Sequence, residues 1–114
     1  MCEGMEARVK AGIWVAAAVK MSDRMGRPAA VLRRGDPDSG DVLAVLRARD
    51  GMAVLRQVRD GSGRLSWMRA TGPALVSAAE ADAYVDRQVG RDPDLWVVEF
   101  DAPDGVPPFE GKVI

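Results

Sequence analysis

Asp41-Val42-Leu43-Ala44-Val45-Leu46-Arg47-Ala48-Arg49-Asp50-Gly51-Met52-Ala53-Val54-Leu55-Arg56-Gln57-Val58-Arg59 is the stretch on which the fold turns. Two runs rich in aliphatic residues flank an Asp-Gly dipeptide. Those two residues best tolerate the positive φ that a type I′ turn requires at both central positions. The reading is a β-hairpin in the middle of one antiparallel sheet. A two-residue loop at Asp50-Gly51 sets Arg49 opposite Met52, Arg47 opposite Val54, Val45 opposite Arg56 and Leu43 opposite Val58. The other face pairs Ala48 with Ala53, Leu46 with Leu55, Ala44 with Gln57 and Val42 with Arg59. The Leu46/Leu55 face is apolar and should lie under helices. The face with Arg47, Arg49 and Arg56 should meet solvent or a partner.

Upstream, Gly35-Asp36-Pro37-Asp38-Ser39-Gly40 is a turn in which Pro37 fixes φ and Asp36 can accept a backbone N–H. Ala29–Arg34 before it reads as a short strand. Trp14, Ala17, Ala18, Met21 and Met25 recur at helical spacing, which predicts a helix over about 10–25, with Gly26 as its C′ residue and Pro28 beyond. β-branched Val9, Ile13 and Val15 leave a strand over Arg8–Val15 as the alternative. Residues 1–8 read as a loose head.

Downstream, Asp60-Gly61-Ser62-Gly63 is a second turn, and Arg64–Ala70 a further strand that Thr71-Gly72-Pro73 ends. Ser77 and Glu80 form a capping box at the start of a helix over 78–89, with Ala81, Tyr84, Val85 and Val89 as its buried stripe and Gly90 as its end. Asp92-Pro93-Asp94 turns into Leu95–Phe100. There Leu95, Trp96, Val97 and Val98 form a continuous apolar run, the mark of a strand buried on both sides. Pro103, Pro107 and Pro108 predict an irregular tail. The expected fold is α+β: a single domain over 1–114 with an ordered core at about 9–102. Its antiparallel sheet of about four or five strands carries two helices packed on one face.

Bulk properties narrow the function. The chain has 114 residues, 47% of them hydrophobic and 29% charged, which suits one globular domain. A net charge of -1 supplies no field toward nucleic acid or an anionic membrane. The absence of His removes Ser-His-Asp and Cys-His catalysis and His metal sites. The one Cys, Cys2, forms no internal disulfide, which fits a reducing compartment. The apolar run Ala11–Val19 is far short of the roughly 20 residues of a membrane span. A charged segment without a small-x-small cleavage site follows it, so a cytoplasmic protein is expected.

Ile13-Trp14-Val15, Arg33-Arg34-Gly35-Asp36, Gly40, Asp50-Gly51 and Asp92-Pro93-Asp94-Leu95-Trp96-Val97-Val98-Glu99 together resemble the signature of a small alphaproteobacterial family, domain of unknown function 1491. The resemblance covers about Val9 to Asp104, and its last motif is the most specific. Arg47-Ala48-Arg49 departs from the family pattern, which has a more polar, Asn-containing segment there. The resemblance implies a bacterial cytosolic domain of its own kind and carries no catalytic residue, cofactor or substrate.

The candidate functional residues fall into two sets. Arg34, Arg47, Arg49 and Arg56, with Arg59, Arg64 and Arg69 nearby, could bind phosphate or an acidic surface; the alternative is a solvated sheet face. Few aromatics interleave with them, so nucleic acid is a poor fit. Asp36, Asp92, Asp94 and Glu99 are the candidate acids, either for acid–base work or simply as turn and ion-pair residues. A Ca²⁺ loop starting at Asp36 fails, because Gly40 and Arg47 stand at its fifth and twelfth positions. No metal or cofactor is expected. The leading expectation is a non-enzymatic interaction module that pairs with itself as a homodimer through an uncovered sheet face. An Arg-face anion binder and a carboxylate enzyme follow.

Overall fold

The computed structural model describes residues 10–59, 61–62 and 64–114, with the Arg59 side chain left aside. The expected head at 1–8 with Cys2, and Asp60 and Gly63 of the second turn, lie outside the described residues. Helix α1 spans Ala11–Arg24, α2 spans Ala78–Arg91, and the strands are β1 Ala29–Arg33, β2 Val42–Ala48, β3 Gly51–Arg59, β4 Leu65–Arg69, β5 Trp96–Asp101 and β6 Lys112–Val113. The sheet order is β1-β5-β2-β3-β4-β6.

The α+β class holds, but the sheet is six-stranded and mixed, not antiparallel with four or five strands. β2, β3 and β4 form an antiparallel meander that contains the expected hairpin. β5 then lies parallel to β2, and β6 parallel to β4. For β5 the physical reason is α2. A helix between two strands carries the chain across the sheet and returns it in the same direction, so β4-α2-β5 is a crossover with β3 and β2 between its strands.

The helices also lie on opposite faces, not on one. Ala11, Val15 and Ala18 of α1 pack on Val42, Ala44, Leu46, Ala53, Leu55, Trp67, Trp96, Val98 and Phe100. Ala81, Tyr84, Val85 and Val89 of α2 pack on Leu43, Val45, Met52, Val54, Leu95 and Val97. The face expected to meet solvent is therefore the floor of α2. Val42 through Leu46 are all buried because β2 is a central strand covered on both sides.

The hairpin turn sits one residue earlier than expected. Ala48 pairs with Gly51, Leu46 with Ala53 and Val45 with Val54, which leaves Arg49 and Asp50 in the turn. No described non-glycine residue has positive φ, so the turn is not type I′. Neighbouring segments fix its position: Arg49 donates its N–H to the Pro103 carbonyl, and Met52 exchanges both backbone bonds with Val76. The shift moves each pair by two residues along one strand, so parity and face membership survive.

Element boundaries otherwise follow local chemistry. Residues 11–15 are helical, which settles the strand alternative. α1 has no side-chain N-cap; instead the Gly12 N–H donates to the Pro37 carbonyl at 2.9 Å. Its C-terminus is a Schellman motif: Gly26 (φ 74°) donates to Asp23 and Arg27 to Ser22. The buried Ser22 hydroxyl closes the same turn on the Arg27 carbonyl. The Ser77/Glu80 capping box forms as read, but α2 runs through Gly90 to Arg91. The proline-rich tail seats Phe109 against Trp14, Trp67 and Phe100 at ring separations of 5.4, 4.9 and 4.9 Å. It ends in β6, which proline content did not suggest.

Candidate functional site

The candidate residues distribute over opposite ends of the sheet. Arg34, Asp36, Asp92 and Asp94 assemble where β2 and β5 begin. Here the loop from Arg34 to Asp41 is pressed onto residues 92–96. Asp36 donates its N–H to the Asp94 carbonyl at 3.0 Å, and the Asp36 carbonyl accepts from Gly40 N–H at 3.1 Å and from the Trp96 indole Nε1 at 2.8 Å. Trp96 donates its own N–H to Asp41 O. The approach demands glycine: a Cβ on Gly35 or Gly40 would sit 2.1 or 2.3 Å from the Asp94 carbonyl oxygen.

Charged groups at this joint serve its geometry. The Asp36 carboxylate accepts from the Ser39 hydroxyl at 2.5 Å and from its N–H at 3.0 Å, bonds that hold its pKa below the usual carboxylate range. The Asp92 carboxylate accepts the Asp94 N–H at 3.0 Å, as an Asx turn does. The Arg34 guanidinium stands 5.6 Å over the Trp96 ring, and Arg33 Nη2 donates to Pro93 O at 3.1 Å.

Glu99 is not part of this group. It faces the α2 side near the other end of β5 and pairs with Arg47 at 3.3 Å. A site built on Asp92, Asp94 and Glu99 together is not formed. The Arg set is divided as well. Arg47 is held by Glu99, Arg49 lies in the hairpin turn, Arg56 donates to Gln88 of α2 at 3.2 Å, and Arg34 belongs to the β5 joint. α2 covers the centre of the face on which these side chains were to gather.

The surface that sequence reasoning missed lies between β1 and α2. α2 packs over β3 and β2, and beside it a groove of about 470 Å³ is lined by Leu32, Arg33, Asp82, Val85, Asp86, Val89 and Val97. β1 forms its wall and is an edge of the sheet, paired among the described residues only with β5. Val31 and Leu32 on this strand are 40% and 57% exposed. Arg33 Nε is buried there without an acceptor among the described residues. Val85 and Val89 were legible as an apolar stripe, but only the topology puts them beside an open strand.

No helix among the described residues is long and apolar enough to cross a membrane. Among curated proteins, none matches this chain. A crystal structure of a protein of the same unknown-function family from Caulobacter crescentus CB15 superposes with a TM-score of 0.84 at 30% identity, covering 94% of this chain and 100% of that one. An NMR structure of a family protein from the same organism gives 0.79 at 31% identity, over 93% and 96% of the two chains. A solution structure of a protein from A. tumefaciens shares the fold, with a TM-score of 0.75 at 23% identity over 90% and 93% of the chains. The family model described as "Protein of unknown function (DUF1491)" matches residues 9–110, and with that span this chain belongs to the DUF1491 family.

Proposed function

We propose that the chain is a small, cytoplasmic, bacterial, non-enzymatic interaction module. Its contact surface is the free edge of β1 together with the groove between that strand and α2. The carrying observation is the exposure of Val31 and Leu32 on a strand edge that is unpaired among the described residues, directly beside an apolar-floored groove. A free strand edge offers a row of N–H and C=O groups, and an adjoining groove offers pockets for alternate side chains, the two elements of recognition by strand addition. The bare sheet face expected from the sequence does not exist, because a helix covers each face. The edge takes its place.

The test is a photo-crosslinking amino acid in place of Leu32 in the producing cell. It is expected to trap a protein adduct that the same group in place of Lys20, exposed on α1, does not. Absence of any adduct at position 32, or the same adducts from both positions, overturns the reading.

A further inference from the structure

We propose that the occupant of the β1 edge is a second copy of this chain, joined two-fold through antiparallel β1–β1 pairing into one continuous sheet. This rests on the reading of that edge as the contact surface and names its partner.

Edges that must stay single are usually blunted along their length by short strands, lysine, proline, bulges, inward charges or a covering segment. The opposite edge of this sheet is so treated, ending in the two-residue β6. β1 is different. Its bulge and its one charge, Arg33, are confined to the C-terminal end; Ala29-Ala30-Val31-Leu32 carries no charge and no proline, and its pairing with β5 stays regular from Ala29 to Val31. A two-fold axis near Val31 sets the small Ala30 of each copy against Leu32 of the other on the α2 face. On the α1 face it sets the two Val31 side chains against one another. A perpendicular two-fold keeps both α2 helices on one side of the joined sheet, so the two grooves merge and Leu32 enters from each side.

The charges agree with an isologous contact, which must be complementary to itself. Asp82 and Asp86 line the α2 side of the groove, and Arg33 lines its β1 side. The same surface therefore presents both signs to its own copy. A partner of uniform charge would set like charge against one of them.

Size-exclusion chromatography with light scattering on the purified full chain at high micromolar concentration tests this. The expected mass is twice that of the 12.2 kDa chain. Leu32→Lys and Val31→Lys are expected to return it to the single mass while circular dichroism stays unchanged. Val106→Lys, an equally exposed site in the tail, is expected to leave the dimer intact. A monomer at that concentration, or a dimer that survives both β1 substitutions, overturns the proposal. A monomer that still crosslinks another protein from position 32 overturns the second copy and keeps the contact surface. A monomer with no adduct removes both.

Discussion

At the scale of single residues, the joint around Trp96 makes the sharpest predictions. Trp96 is 3% exposed, fills the α1-side core, and spends its indole N–H on Asp36 O. Trp96→Ala is expected to cost about 3–5 kcal/mol in urea unfolding, the usual range for losing a buried aromatic. Trp96→Phe keeps most of the ring but leaves the Asp36 carbonyl one donor short, so it should cost less than Trp96→Ala. Asp94 contributes its carbonyl, not its carboxylate, to the contact with Asp36. Asp94→Asn is therefore expected to stay within about 0.5 kcal/mol of the parent. Gly35→Ala must push a Cβ into that same carbonyl, and about 1–3 kcal/mol is expected from overpacking against backbone. If Asp94→Asn proves costlier than Trp96→Ala, a polar network and not the indole holds the joint.

At the scale of elements, α2 contains a glycine it does not need. Among the described residues, nothing outside the helix's own backbone lies within 4 Å of a Cβ at Gly90, and its φ is not in the left-handed region. Gly90→Ala should raise stability by up to about 0.5–1 kcal/mol through reduced backbone entropy of the unfolded chain, read as a higher urea midpoint. Two carboxylates with lowered pKa, one linking the tail to the end of α1 and one closing the Asp36–Ser39 turn, are expected to contribute acid sensitivity. Asp104 binds Arg27 beyond the end of α1 at 3.0 Å, and that bond, with the Val106 N–H, lowers its pKa. Asp36 is lowered by the Ser39 hydroxyl and N–H. A folded pKa below the unfolded value of about 3.9 means stability that is present above that value and lost as pH falls through the folded pKa. The urea midpoint should therefore decline below about pH 4, and the double variant Asp36→Asn/Asp104→Asn should flatten that decline.

At the scale of the molecule, the tail completes the α1-side core. Phe109 touches Trp14, Trp67 and Phe100, which come from a helix and two separate strands. Phe109→Ala should cost toward the lower end of about 3–5 kcal/mol, since the ring is only half-buried. It should also redshift tryptophan emission as Trp14 and Trp67 gain solvent. An unchanged spectrum would mean that the tail merely rests on the surface. The Trp67 indole N–H is buried without a partner among the described residues, beneath Gly111, where a Cβ would lie 2.6 Å from it. Gly111→Ala is thus expected to loosen β6, seen as faster hydrogen exchange at the Ile114 amide that bonds Trp67 O.

What the sequence determined by itself is local. Ser77 and Glu80 cap α2 through their own side chains, Gly26 ends α1 because it alone relaxes at positive φ, and Leu95–Val98 reads as buried on both sides because no polar residue interrupts it. Each signal acts between residues a few positions apart. Val42–Leu46 carried the same uninterrupted apolar signal as Leu95–Val98, and from it two covered faces could have been read. Arg47 and Arg56 drew attention to a polar face that exists only at the sheet's ends. The tertiary structure alone decided which strands are neighbours. β5 lies beside β2 across about fifty residues of chain because the α2 crossover delivers it there in parallel. The hairpin turn moved by one residue because Pro103 and Val76, remote in sequence, claim the backbone groups at its end. The groove beside β1 exists because α2 settles on β3 and β2, leaving the edge strand open. Hydrogen bonding between strands and the choice of which face a helix buries are set by the sum of many distant contacts, and no short stretch of sequence encodes that sum.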